Sequence, residues 1–185
     1  NYQSLFDLLT PVVKGWCTEQ SIEITSMGVQ VHGGMGFIEE TGAAQYLRDA
    51  RITPIYEGTT GIQANDLIGR KVSSEHGVTA FQLIGFMRQT LHDLDAFKDH
   101  SGLSMIRDKF EISVEALEES VRWVVETYSK DPQTASAGSV PLLKLFGTVA
   151  GGWMLARSAI IAKTGLDAGG SNAKFYRNKL ATSRF

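Results

Sequence analysis

Cysteine is nearly absent from this chain, Cys17 being the only one. No internal disulfide can form, no cysteine pair stands at metal-ligand spacing, and a reducing, cytoplasmic compartment is expected. Cys17 itself reads as a small buried apolar residue rather than a nucleophile. Concentrated charge is missing too: 18 Lys and Arg against 20 Asp and Glu leave a net charge of −2. No run of five like charges occurs, which argues against nucleic acid or an anionic membrane surface as a partner. The four histidines, His32, His76, His92 and His100, form no HExxH or other ligand pattern, so no metal is expected. No segment alternates apolar and polar residues with period two for long enough to make a strand. The opening "NYQSLFDLL" lacks the basic and long apolar regions of a secretory leader and does not begin with Met, so the chain reads as a piece of something longer.

What the sequence does contain is helical periodicity. Thr10 followed by Pro11 reads as an N-cap with proline at the first helical position, and Val13, Trp16, Gln20, Ile24, Met27 and Val31 follow at spacings of three and four. That helix should stop at Gly33 and Gly34, in "VHGGMGF", a stretch too rich in glycine to be helical. A second helix is expected over Gly42 to Ala50, then an extended "RITPIYEG", since Pro54 biases Thr53 away from helical angles. Thr59 or Thr60 should cap a third helix reaching about Lys71.

The polar, small-residue stretch from Val72 to Val78 marks a boundary. Beyond it Phe81, Ile84, Met87, Leu91 and Leu94 define one helix, and Leu103, Ile106, Phe110, Val114, Leu117, Val121, Val124 and Tyr128 form a continuous apolar stripe on another. "DPQTASAGSVP" is expected to be a turn-rich connection to a further helix. The apolar stretch Val140 to Ala162 approaches membrane-spanning length, but Lys144, Arg157 and the pair Gly151, Gly152 interrupt it, so a core helix is expected and no transmembrane span. The whole is expected to be all-α, antiparallel helices in two parts, residues 1–75 and 76–185.

Chemistry has few places to sit. Glycines 33, 34 and 36 beside a helix end permit close backbone approach to an anion, though the pattern is neither a P-loop nor a dinucleotide fingerprint and also suits a tight turn. The adjacent acids Glu39 and Glu40 raise a glycosidase reading, but neighbouring acids in a loop usually face solvent. In "PIYEGTTGIQAND" the carboxylate of Glu57 lies between Ile55, Tyr56 and a capped helix, where apolar neighbours would raise its pKa toward that of a useful base. Acids in a first helical turn are also common for dipole reasons alone.

"QVHGGMGF" (Gln30 to Phe37) followed by "LRDARITPIYEGTTGIQ" (Leu47 to Gln63) closely resembles the acyl-CoA dehydrogenase family in order, spacing and residue type. The likeness covers roughly Thr10 to Lys71, and "ANDLIGRKV" with the helices beyond it resembles the longer bacterial members, which include enzymes for long-chain and methylmercaptopropionyl-CoA substrates. One departure is Gln45, where the family usually carries Lys or Arg. The resemblance implies a fold like the family's C-terminal helical domain over residues 1–75 and an appended helical bundle over 76–185.

It further implies that Glu57 removes the proton alpha to a thioester carbonyl while hydride passes from the beta carbon to N5 of FAD. The Glu57 N–H and a flavin ribityl hydroxyl would then meet the carbonyl oxygen. Tyr56 and Gly58 fall at the substrate, Gly58 leaving room for the thioester. Gln30, Val31, His32, Gly33 and Gly34 match residues that reach the adenosine and pyrophosphate of FAD on a neighbouring subunit, and Thr59, Thr60 and Gly61 match a second FAD contact. Acyl-CoA substrate, electron-transfer flavoprotein as acceptor and homo-oligomer assembly are implied with them. Because the family's preceding domains carry most flavin and CoA contacts, the 185 residues alone should neither retain FAD nor turn over. The competing class is a non-catalytic helical oligomerisation module; phosphate or nucleotide binding without redox chemistry would rest on the glycines only.

Overall fold

A computed structural model describes residues 2–169 and 172–184 and is all-α: among the described residues there is no strand. The elements are α1 (Tyr2–His32), α2 (Gly34–Phe37), a 3-10 turn (Glu39–Thr41), α3 (Ala43–Ile52), α4 (Thr60–Asp66) running into a π-helical segment (Leu67–Ser73), α5 (Val78–Leu94), α6 (Ser101–Tyr128), α7 (Pro132–Ala137), α8 (Ser139–Asp167) and α9 (Ala173–Thr182). They form two compact units, one of Asn1–Thr79 with Val124–Gly147, the other of Ala80–Trp123 with Thr148–Phe185.

In the first unit α1 packs against α2, α3, α4 and the π-helical segment. It begins nine residues earlier than the Thr10-Pro11 signal suggests. Thr10 is inside the helix, its hydroxyl donating to the Phe6 carbonyl at 2.8 Å, and Pro11 is an interior proline. The lost N–H of Pro11 is tolerated because Leu8, Pro11, Val12 and Gly15 are the buried face of this helix. The other stripe turns outward: Val13, Ile24, Met27 and Val31 are 57%, 60%, 59% and 85% exposed, a largely apolar surface. Cys17, expected to be buried, is exposed. Close approach is achieved at glycines. A Cβ on Gly147 would stand 2.1 Å from Cγ of Trp16, so the Trp16 indole rests directly on the α8 backbone.

Two connections differ from expectation. Thr53 is helical (φ −63, ψ −36), its N–H and hydroxyl both bonded to the Ala50 carbonyl at 3.1 and 2.7 Å. These two local bonds outweigh the bias from Pro54, and the stretch to Tyr56 is a run of turns rather than a strand. "DPQTASAGSVP" contains the helix α7, because Asp131 caps it: the carboxylate accepts from the N–H groups of Gln133 and Thr134, both at 3.1 Å, and Pro132 occupies the first turn.

The second unit is built on the stripe of α6. Leu103, Phe110, Val114, Leu117 and Val121 are buried there, together with Leu83, Ile84, Met87, Leu91 and Leu94 of α5 and Val149, Ala156, Ala159 and Ala162 of α8. Trp153 donates its indole N–H to the Thr90 hydroxyl at 2.7 Å, and Arg88 bonds Glu118 at 2.5 Å, which holds the Glu118 carboxyl below its ordinary value. Among the described residues α8 is the one helix long and apolar enough to cross a membrane by length and composition; a third of that window is buried.

The Thr134 hydroxyl and N–H hold the Asp131 carboxyl below its usual 3.8. An unfolded Asp131 takes up its proton at higher pH than the folded one. The cap's contribution is therefore complete above the ordinary carboxylate value and fades as pH falls through the folded one. Asp131→Ala is expected to lower the thermal midpoint at pH 7 and to lower it progressively less below about pH 4; melts followed by circular dichroism across that range check both parts.

Candidate active site

Glu57 stands at the apex of a sharp reversal between α3 and α4. Ile55 and Tyr56 still donate their N–H groups to the Ile52 carbonyl, at 3.0 and 3.2 Å, closing the end of α3. Glu57 (φ 53) and Gly58 (φ 89) then both lie in the left-handed region, and Thr59 (φ −63, ψ 165) swings back to start α4 as its N-cap. Glycine takes such angles freely, whereas a side-chain-bearing residue pays about 1 to 2 kcal/mol for them. Something must therefore hold Glu57 there.

The holding groups come from α1 and α4. Lys14 donates from Nζ to the Gly58 carbonyl at 2.5 Å and lies 5.9 Å from the Tyr56 ring centroid. Gln63, on α4, donates from Nε2 to the Glu57 carbonyl at 3.2 Å. Thr60 donates its hydroxyl to Glu19 Oε1 at 2.5 Å, tying the first turn of α4 to α1. Both carbonyls of the reversal are thus engaged. Among the described residues the Glu57 N–H has no hydrogen-bond partner, and its carboxylate makes no ion pair. Among the described residues that carboxylate has no apolar enclosure: Glu57 is exposed, with Ile55 and Tyr56 46% and 49% exposed beside it.

The second predicted group sits at the far end of α1. Gln30, Val31, His32, Gly33 and Gly34 are all exposed, and the His32 ring bonds back through Nδ1 to the Gly28 carbonyl at 2.8 Å. Gly33 (φ 61) ends α1, but the glycines after it do not preclude a helix: Gly34–Phe37 makes one turn. The Thr41 hydroxyl braces that turn by donating to the Met35 and Ile38 carbonyls, at 2.5 and 2.9 Å. No heavy atom lies within 4 Å of where a Cβ would stand on Gly33, Gly34 or Gly61. The structure does not bring the two groups together, because the eleven residues from Glu19 to Gln30 on α1 correspond to roughly 16 Å of helix rise. Glu39 is paired with Arg48 at 3.0 Å on the surface, and Gln45 bonds Asp49 at 2.7 Å. Among the described residues no cluster of His, Cys, Asp or Glu could hold a metal.

Lys14, Glu19 and Gln63 hold the reversal but carry no motif in the sequence. Their only local signal is a lysine flanked by Pro11, Val12 and Gly15, a charge set into the buried face of α1.

Two family models match the chain: "Acyl-CoA dehydrogenase, C-terminal domain" over residues 4–72 and "Acetyl-CoA dehydrogenase C-terminal like" over residues 83–185. A 3-methylmercaptopropionyl-CoA dehydrogenase of Ruegeria pomeroyi is 47% identical over 98% of this chain. A broad-specificity linear acyl-CoA dehydrogenase of Mycobacterium tuberculosis is 33% identical over 97%. A short-chain specific acyl-CoA dehydrogenase of rat mitochondria is 44% identical over 57 residues, 31% of the chain. The chain spans about 30% of the length of the first two relatives.

Gly58→Ala puts a methyl group at φ +89 and 2.9 Å from Gln63 Nε2, the group that bonds the Glu57 carbonyl. It is expected to destabilise the chain by about 1 kcal/mol or more, read from the shift of the urea midpoint at unchanged slope.

Proposed function

Since the chain belongs to the acyl-CoA dehydrogenase family, we propose that it supplies the base of an FAD-dependent alpha,beta-dehydrogenation of acyl-CoA thioesters, and that the base is Glu57. The observation that carries this reading is the apex itself. One residue, held at φ 53 with its carbonyl bound from behind, presents an exposed carboxylate and an N–H without a protein acceptor. The carboxylate would take the alpha proton. The N–H would donate to the thioester carbonyl oxygen as negative charge gathers there, the point at which a preorganised donor contributes most. Gly58 and Tyr56 would lie beside the bound thioester; the space a Gly58 side chain would take is filled by Gln63 and Ile62, so the glycine serves the reversal itself.

FAD fits the open glycines. Gly33 and Gly34 present bare backbone with no neighbouring atom where a Cβ would stand, which is the room a pyrophosphate needs. Gln30, Val31 and His32 would flank it, and Thr59, Thr60 and Gly61 would reach a different part of the cofactor. Bound FAD would supply the hydride acceptor, N5. The roughly 16 Å between the two groups along α1 supports their serving FAD molecules of neighbouring subunits, and the exposed apolar face of α1, with Val13, Ile24, Met27 and Val31, supports a homo-oligomer. That face would serve a purely structural oligomerisation module equally well; the geometry at Glu57 favours the enzyme. Residues 1–75 would carry the site and 76–185 an appended bundle. Electron-transfer flavoprotein is the proposed electron acceptor and the cytoplasm the proposed location.

In the full-length enzyme carrying this segment, Glu57→Gln is expected to keep FAD and to lose about 10²- to 10⁴-fold in turnover; steady-state assay with an artificial acceptor decides it, and near-normal turnover would remove Glu57 from the role. The 185 residues alone leave Glu57 in water and offer FAD only scattered contacts, too few to offset the cost of immobilising so large a ligand. Isothermal titration of this chain with FAD is expected to show no binding at micromolar concentration, and tighter binding would show that the cofactor site is complete within it.

A further inference from the structure

We propose that Lys14 is a positioning residue for the base, its ammonium clamping the Gly58 carbonyl so that Glu57 and Gly58 stay left-handed. The proposal rests on the reading of Glu57 as the base. Lys14 is only partly exposed, and among the described residues it forms no ion pair; its contacts are the Gly58 carbonyl at 2.5 Å and the Tyr56 ring at 5.9 Å. An ammonium drawn partly out of water normally meets a carboxylate. The carboxylate five residues along the same helix, Glu19, is engaged by the Thr60 hydroxyl. Lys14 is therefore committed to a backbone carbonyl 44 residues away, through a charge-assisted hydrogen bond, the stronger kind.

The place it grips explains the commitment. At two successive positive-φ residues the chain reverses, and the carbonyls of Glu57 and Gly58 are taken by two different side chains, Gln63 from α4 and Lys14 from α1. Gln63 moves with the helix it belongs to. Lys14 is the one of the two that ties the reversal itself to α1; the Thr60–Glu19 bond ties only the helix that follows. With it gone, Gly58 can rotate out of the left-handed region and carry the Glu57 carboxylate and N–H with it. The base would still be present but misplaced, and a misplacement of about 1 Å is enough to cost on the order of 10²-fold in rate.

The test compares Lys14→Met, Lys14→Gln and Lys14→Arg in the FAD-loaded full-length enzyme, beside Glu57→Gln. Lys14→Met is expected to lower kcat by about 10- to 100-fold with FAD content, melting temperature and KM for acyl-CoA little changed. The kinetic isotope effect with alpha-deuterated substrate should rise, since proton removal becomes slower. Lys14→Arg, which keeps a charged donor, should restore most of the loss, and Lys14→Gln should restore less. Hydrogen exchange across residues 55–61, which needs no turnover, should quicken in Lys14→Met and not in Lys14→Arg. A Lys14→Met enzyme with near-normal kcat and isotope effect, while Glu57→Gln is inactive, would overturn the proposal and leave the base assignment standing. Parallel loss of FAD, stability and activity in all three variants, without rescue by Arg, would overturn it too, since Lys14 would then act through folding. An active Glu57→Gln would instead end the base assignment on which it rests.

Discussion

The first unit depends on the docking of α4 and the reversal before it onto one face of α1. That face is mostly apolar, with Leu8, Pro11, Val12 and Gly15 buried, but its seal with the Glu57 reversal is polar: the Lys14 ammonium on the Gly58 carbonyl and the Glu19 carboxylate on the Thr60 hydroxyl. Apolar burial brings the two elements together without specifying rotation or register to a fraction of an ångström. Directional bonds do that. Glu57 is exposed, so its placement is imposed through its own backbone, by the side chains that take the Glu57 and Gly58 carbonyls.

The division of labour between the two ends of α1 follows from helix geometry. A helix of 31 residues carries the clasp for the Glu57 reversal in its first half and the glycine turn at its end, and fixes the distance between them whatever the loops do. Small local features keep the glycine turn in shape: Gly33 and Gly42 at positive φ, and the Thr41 hydroxyl, its one hydrogen shared between the Met35 and Ile38 carbonyls.

Much of this was legible in the sequence where a pattern repeats over several turns. The stripe of α6 announced both the helix and its buried face, since Leu103, Phe110, Val114, Leu117, Val121 and Val124 are all buried. Signals one or two residues long were less dependable. Thr10-Pro11 has the form of a helix start and lies inside a helix, because burial of the residues on either side decides the matter. Asp131-Pro132 is a true start that a run of small residues disguised as a turn. Glu57 could be picked out from its surrounding motif, but its left-handed conformation could not, because glutamate has no preference for it and the groups that enforce it lie elsewhere. Lys14 is 44 positions from Gly58, and nothing local to either marks the other.

The first compact unit is not contiguous: Asn1–Thr79 is completed by Val124–Gly147, with 44 residues of the other unit, Ala80–Trp123, between them. The Trp16 indole rests on Gly147, and Gly15 meets the Leu143 side chain. On a ribosome adding about 5 to 20 residues per second, the helices that carry Glu57 are therefore made several seconds before the segment that covers them. Through that interval Trp16 and its neighbours on α1 are exposed to whatever else is nascent nearby. The first unit therefore waits for residues 124–147 before it can close, although its first 79 residues are made before any of the second unit.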